Sequence, residues 1–156
     1  MSFQKDIIFH SRPIAVPYNY RISYKVSLVC LIISLCCLRG GCSSAKLHMI
    51  NVAIHDLSVQ KDIERLIQGK YLSVSIPLRF DPSINRAINY ALNDNLILRQ
   101  ANGNYRLTHK GKSLVDKIKK DNDLLITEKN YLNFLRYRLT EDIILSVSKD
   151  WGFKNV

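Results

Sequence analysis

Apolar side chains fill nearly every position of residues 26–38, and the run shows no polar stripe that would mark a solvent side. A helix over residues 22–38 with this pattern is expected at the centre of a domain or between partners. Gly40 and Gly41 are expected to end it. Ser43 or Ser44 can cap a second helix, in which Leu47, Ile50, Val52 or Ala53, and Ile54 make an apolar stripe ending near His55. Residues 58–68 place Val59, Ile63, Leu66 and Ile67 on one helical face, with Gly69 as the stop. The period then changes from helical to alternating. Leu72, Val74 and Ile76 alternate with Ser73 and Ser75, predicting a strand with one buried face that Pro77 closes.

Asp81-Pro82 joins a capping side chain to a proline at the first helical position, a strong helix start. The helix over residues 82–95 is expected to bury Ile84, Ala87, Ile88, Ala91 and Leu92 and to expose Asn85, Arg86, Asn89 and Asn93. Residues 96–100 and 105–107 flank a turn in which Asn102-Gly103 is the favoured hairpin dipeptide. Thr108 caps a helix over residues 110–120, and Tyr131, Phe134, Leu135, Tyr137 and Leu139 continue as a long helical tail, followed by residues 143–147. At the other end, Pro13 and Pro17 make residues 1–20 an extended arm that Ile14, Tyr18 and Tyr20 can dock. This order predicts a mainly α protein with a small β-hairpin. It is the arrangement of a winged-helix domain, here over residues 47–120, in which Thr108-x-x-Gly111 leads from the wing into the closing helix. The organisation expected is an arm over residues 1–21, a helical plus winged-helix domain over 22–124 and a helical tail over 125–156.

At 156 residues the chain is long enough for one domain with its own core, without disulfides or a metal. Its 23 Lys and Arg against 13 Asp and Glu give a formal charge of +10, which points to an acidic partner. The excess is local. Lys5, Arg12, Arg21, Lys25, Arg39 and Lys46 outweigh Asp6 in the N-terminal third, and ten basic residues outweigh four acidic ones between Arg99 and Arg138. If the domain reads DNA, the helix over residues 82–95 would enter the major groove with Arg86 at base edges, and Arg99, Arg106, Lys110 and Lys112 would meet phosphates. The same lysines are equally compatible with a solvated face.

The apolar run of residues 26–38 is shorter than the roughly 20 residues a spanning helix needs, so no membrane partner is expected. Residues 36–42 have a superficial likeness to a lipoprotein cleavage site, but Arg39 and the long polar leader argue against export, and a cytoplasmic protein is expected. Cys30, Cys36, Cys37 and Cys42 show no Cys-x-x-Cys pairing and read as small buried hydrophobes in a reducing compartment. A zinc site drawing on Cys36, Cys37 or Cys42 with His48 or His55 would have non-standard spacing. No phosphate loop, His-Glu-x-x-His or Gly-x-Ser-x-Gly occurs and the histidines are scattered, so neither catalysis nor a cofactor is expected.

Pro17-Tyr18-Asn19-Tyr20-Arg21-Ile22, the apolar helix ending in Leu38-Arg39-Gly40-Gly41, the segment Ala45-Lys46-Leu47-His48-Met49-Ile50-Asn51-Val52-Ala53-Ile54 and the winged helix after it together resemble a known family. It is that of the small middle components of ABC-three-component systems, the accessory subunits of Lamassu-type bacterial defence. The resemblance implies a kleisin-like adaptor in a cytoplasmic complex. There an SMC-like ABC ATPase senses double-stranded DNA and an effector, often a nuclease, acts. Under that reading Tyr20, Leu28 and Ile33 of the N-terminal part and Tyr131, Phe134 and Tyr137 of the tail would supply partner interface, although the apolar helix and tail can instead simply pack on the winged helix. The alternative is a free-standing winged-helix transcription regulator.

Overall fold

The computed structural model describes Pro17 and residues 21–69 and 81–150. The expected strand over residues 71–76 and Tyr20 lie outside the described residues, as does all but the end of the expected arm. The described chain is mainly helical: α1 (Ile22–Cys36), α2 (Ser44–His55), α3 (Leu57–Ile67), α4 (Pro82–Asn93), α5 (His109–Lys120), α6 (Ile126–Leu135) and α7 (Glu141–Asp150). Strands β1 (Ile97–Arg99) and β2 (Tyr105–Leu107) pair antiparallel with Leu98 opposite Arg106. Cys42 adds a single bridge to Tyr105 on the other edge of β2.

Because α1 carries apolar side chains all round, the other elements must cover it from several directions. It packs against α2, α4, α5, α6 and β2. Leu28, Val29, Cys30, Leu31 and Ile32 have no solvent exposure at all. The same core continues into Leu132, Leu135, Leu139, Ile144 and Val147, so α6 and α7 close the domain instead of trailing from it. The expected single helical tail is broken at Arg136, whose φ of 41° lies in the left-handed region, and Thr140 starts α7 by accepting from the Ile143 amide.

Other boundaries shift for identifiable reasons. Helix α1 stops at Cys36, before the glycines, and the Lys46 ammonium donates to the Cys36 carbonyl at 2.8 Å, satisfying a helix-end acceptor. Helix α3 begins one residue early because Asp56 caps it, accepting from the amides of Ser58 and Val59. In the hairpin the Gly103 amide donates to the Gln100 carbonyl at 2.9 Å, and Gly103 has φ of 85°. The connection is thus a three-residue loop with glycine in the left-handed position, and not the two-residue Asn-Gly turn expected.

Two constraints fix how α4, the hairpin and α5 meet. Thr108 caps α5 by accepting from the Gly111 amide, while its hydroxyl donates to the Leu96 carbonyl at the foot of β1. A Cβ on Gly111 would stand 2.0 Å from the Leu96 oxygen, so only glycine allows this approach. At the other end of α4, Asp81 caps the helix through the Ser83 amide and hydroxyl and also accepts from Lys25 at 3.2 Å. Lys25 is buried, its side chain only 5% exposed, and its ammonium also donates to Asn51 at 3.0 Å. One cluster thereby joins α1, α2 and the start of α4. Burial pushes the Asp81 carboxyl up, but the Ser83 donors and the Lys25 ammonium outweigh it and hold it at about 2.

Gly111→Ala should cost about 3 kcal/mol through overpacking, seen as a lower urea midpoint with an unchanged slope. A midpoint equal to wild type would show that α5 has room to retreat. Asp81→Ala should destabilise more than Lys25→Met, since the first strands a buried ammonium and removes a cap while the second leaves a carboxylate that reaches water. The Asp81 carboxyl titrates below the 3.8 of an ordinary aspartate, so its contribution is complete above that pH and is lost as pH falls toward 2. Acid unfolding curves should therefore be flatter in Asp81→Ala than in wild type, and parallel curves would remove Asp81 as the titrating group.

Candidate nucleic-acid interface

The hairpin register decides which basic residues share a face. Residues directly opposite in an antiparallel pair point to the same side, and neighbours along a strand to opposite sides. Arg106 stands opposite Leu98, whereas Arg99 stands opposite Tyr105, so Arg99 and Arg106 lie on opposite faces of the ribbon. Arg99 is exposed beside the turn, within 3.8 Å of where a Gly103 Cβ would be. Lys110 is engaged too: its ammonium donates to the carboxylate and the carbonyl of Asp94, both at 2.9 Å. Arg86 is exposed on α4. Of the four residues expected at phosphates, Arg99 and Arg106 are thus on opposite faces of the hairpin and Lys110 is paired, while Arg86, expected at base edges, is on α4.

Arg106 and Lys112 do come together. They line an open cleft of about 730 Å³ between the end of α1, the hairpin and the start of α5, along with Arg39 and His109. Ser34, Cys37 and Leu98 contribute to its walls, and among the described residues no Asp or Glu does. The N-terminus of α5 opens here, adding the partial positive charge of its free amides to the three full charges. The loop carrying Arg39 is tied to the hairpin, since the Arg39 carbonyl accepts from the Gln100 side chain and the Gly40 carbonyl accepts from Asn102 and Asn104. A Cβ on Gly41, which has φ of 76°, would fall 2.7 Å from the Tyr105 carbonyl oxygen, and so the loop can lie this close to β2 only with glycine there. Lys119 adds a further cation nearby, donating to Ser34 at 3.2 Å.

No protein-family model, curated protein or solved structure matches this chain. Its chemistry is read from its own geometry. Among the described residues no group of three or more His, Cys, Asp and Glu is placed to hold a metal ion, and no helix is long and apolar enough to cross a membrane.

The residues expected at a partner interface divide in the same way. Leu28 is fully buried and Ile33 is 5% exposed, so both belong to the chain's own core, a correction that follows from the all-round packing of α1. Tyr131 is half-buried against that core, with its hydroxyl out of solvent and without a hydrogen-bond partner among the described residues. Burial pushes its phenol upward. Phe134 and Tyr137 are exposed at 46% and 48%, and the Arg138 guanidinium lies 5.1 Å over the Phe134 ring. Sequence reasoning missed Arg39 and His109 as members of the cleft. Arg39 is brought to the hairpin by the Cys42 to Tyr105 pairing, which carries no local sequence signal.

Retention on immobilised heparin should separate the two kinds of lysine. Lys112→Glu should lower the salt concentration at elution clearly, and Lys110→Glu less, because Lys110 is already neutralised by Asp94. Equal losses from both variants would argue that the basic surface acts only through its total charge.

Proposed function

We propose that this chain is a non-catalytic, kleisin-like adaptor subunit of a bacterial defence complex against phage and plasmids. It joins an SMC-like ABC ATPase to an effector, often a nuclease, and touches double-stranded DNA through the cleft of Arg39, Arg106, His109 and Lys112. The observation that carries the DNA contact is this convergence of cations on a wall without carboxylates. Three cations at an open cleft suit a backbone of regularly spaced phosphates, and such contacts position a protein without reading sequence.

The fold reading that goes with it is a winged helix. The order of α1, the Cys42 bridge, α2 with α3, α4 and the β1–β2 hairpin supports it, with α1 as the first helix of the domain and α4 as the helix before the wing. On this reading the winged helix would start at α1 and not at residue 47. Exposed Phe134 and Tyr137, near the other end of the sequence, are the apolar contacts an adaptor would offer to a protein partner. The adaptor role itself rests on the family resemblance carried by residues 17–54, and a cytoplasmic location comes with it.

A second reading is favoured by α4. Arg86, Asn89, Tyr90 and Asn93 line its exposed side, a surface on which a free-standing regulator could read bases.

Affinity purification of the tagged chain with its neighbouring gene products should recover an ABC ATPase in stoichiometric amount. Recovery of a symmetric dimer alone would favour the regulator. In the assembled complex, Arg39→Glu with Arg106→Glu and Lys112→Glu should abolish DNA retention while subunits stay together, and the salt slope should drop by about 0.9 for each phosphate no longer neutralised. Undiminished DNA binding by the triple variant would remove the cleft as the contact, and loss of DNA binding from Arg86→Ala instead would point to α4.

A further inference from the structure

Cys42 follows Cys37 by only a few positions, and the chain doubles back between them. The Gly41 amide donates to the Leu38 carbonyl at 3.0 Å, closing a turn that only the left-handed conformation of Gly41 completes. The turn over residues 38–41 leaves Cys37 and Cys42 as the two residues that flank it, and each thiol perturbs the other's ionisation. Cys42 is fully buried and held rigidly by the two backbone hydrogen bonds it shares with Tyr105, both 2.8 Å. Cys37 is only partly buried and lies on the walls of two clefts, the basic one and a second, of about 260 Å³, that also reaches Lys46, Tyr137 and Glu141. A reagent in solvent thus reaches Cys37 before the fully buried Cys42.

We infer that Cys37 and Cys42 are a reversible dithiol–disulfide pair, with Cys37 the thiol that attacks a hydroperoxide and Cys42 the thiol that resolves it. In the first step the Cys37 thiolate attacks one peroxide oxygen, the O–O bond breaks and hydroxide leaves, so that sulfur is oxidised to a sulfenic acid as the peroxide is reduced. In the second step the Cys42 sulfur attacks the Cys37 sulfur. The S–O bond breaks, the departing hydroxide takes the Cys42 proton, and water and a disulfide result. Two thiols supply the two electrons, and a reducing thiol from the surroundings restores the pair.

The surroundings make the choice of sulfur selective. The Cys42 thiol lowers Cys37 most, against an opposing effect of burial, and the nearby Lys46 ammonium lowers it further, while Glu141 opposes. Burial pushes Cys30 and Cys36 to about 12 and raises Cys42 as well, so Cys37 is the cysteine favoured as the attacking thiolate, and Cys42 enters only in the second step, as a thiol. Closing the disulfide would staple the end of α1 to the chain that borders β2, placing a redox-dependent crosslink in the wall of the basic cleft. The pair does not depend on what that cleft binds.

The test uses the reduced full-length chain treated with equimolar hydrogen peroxide, blocked with N-ethylmaleimide and digested with trypsin without reduction. Cleavage after Arg39 separates the two cysteines, so their disulfide joins peptides 26–39 and 40–46, and fragmentation assigns the linked sulfur within the first. A Cys37 to Cys42 link is expected, formed at least about tenfold faster than any modification of Cys30 or Cys36. Cys42→Ala, with its fold checked by circular dichroism, should instead accumulate a dimedone-reactive sulfenic acid at Cys37. A link through Cys36, a disulfide between chains, or four thiols that stay reduced in folded protein would each overturn the inference.

Discussion

The whole fold answers to one constraint, the burial of a helix that is apolar on every side. An amphipathic helix needs one neighbour, but α1 needs a sheath, and α2, α4, α5, α6 and the hairpin provide it. Ten of its fifteen residues are buried, including Lys25. The single ammonium inside this apolar helix cannot be left alone, and the chain meets it with Asn51 and with the carboxylate that caps α4. The carboxylate that starts the helix beside the hairpin is therefore also the partner of the buried charge. The far end of α1 is governed by the same rule, since Lys46 reaches back to its last carbonyl.

From that arrangement the candidate site follows. Helix α1 ends at the hairpin, so the loop that leaves it must pass along β2, and the cations of loop, hairpin and α5 converge because the core brings their backbones together. Two glycines permit this closeness. Gly41 lets the loop lie on the Tyr105 carbonyl, and Gly111 lets α5 start against the Leu96 carbonyl. The basic cleft is thus a by-product of how α1 is wrapped, with its charges supplied at the rim.

Much of the fold was legible because its signals are local. The Asp81-Pro82 start, the Ser43 and Thr108 caps and the amphipathic stripe of α3 all act within a turn of helix, and each is found where the sequence puts it. What was not legible depends on contacts distant in sequence. Leu28 and Ile33 look the same as interface or as core until the covering helices are placed. The left-handed break at Arg136 has no glycine or proline to announce it. The split of Arg99 from Arg106 was within reach of the alternation rule, because one residue of register decides the face, and the Asn-Gly dipeptide suggested a turn one residue out of place.

The division between rim and wall of the basic cleft bears on how this protein can change over generations. Arg39, Arg106, His109 and Lys112 are anchored by their backbones and carry solvent-facing heads, so each can be exchanged without disturbing what lies beneath. Ile33 and Cys37 are shared between that wall and the core, and a substitution there is felt by the cleft and the fold at once. Selection can retune the charge of this surface quickly while its shape stays almost frozen. Descendants of this chain should therefore differ in the charge they present at this cleft long before they differ in its outline.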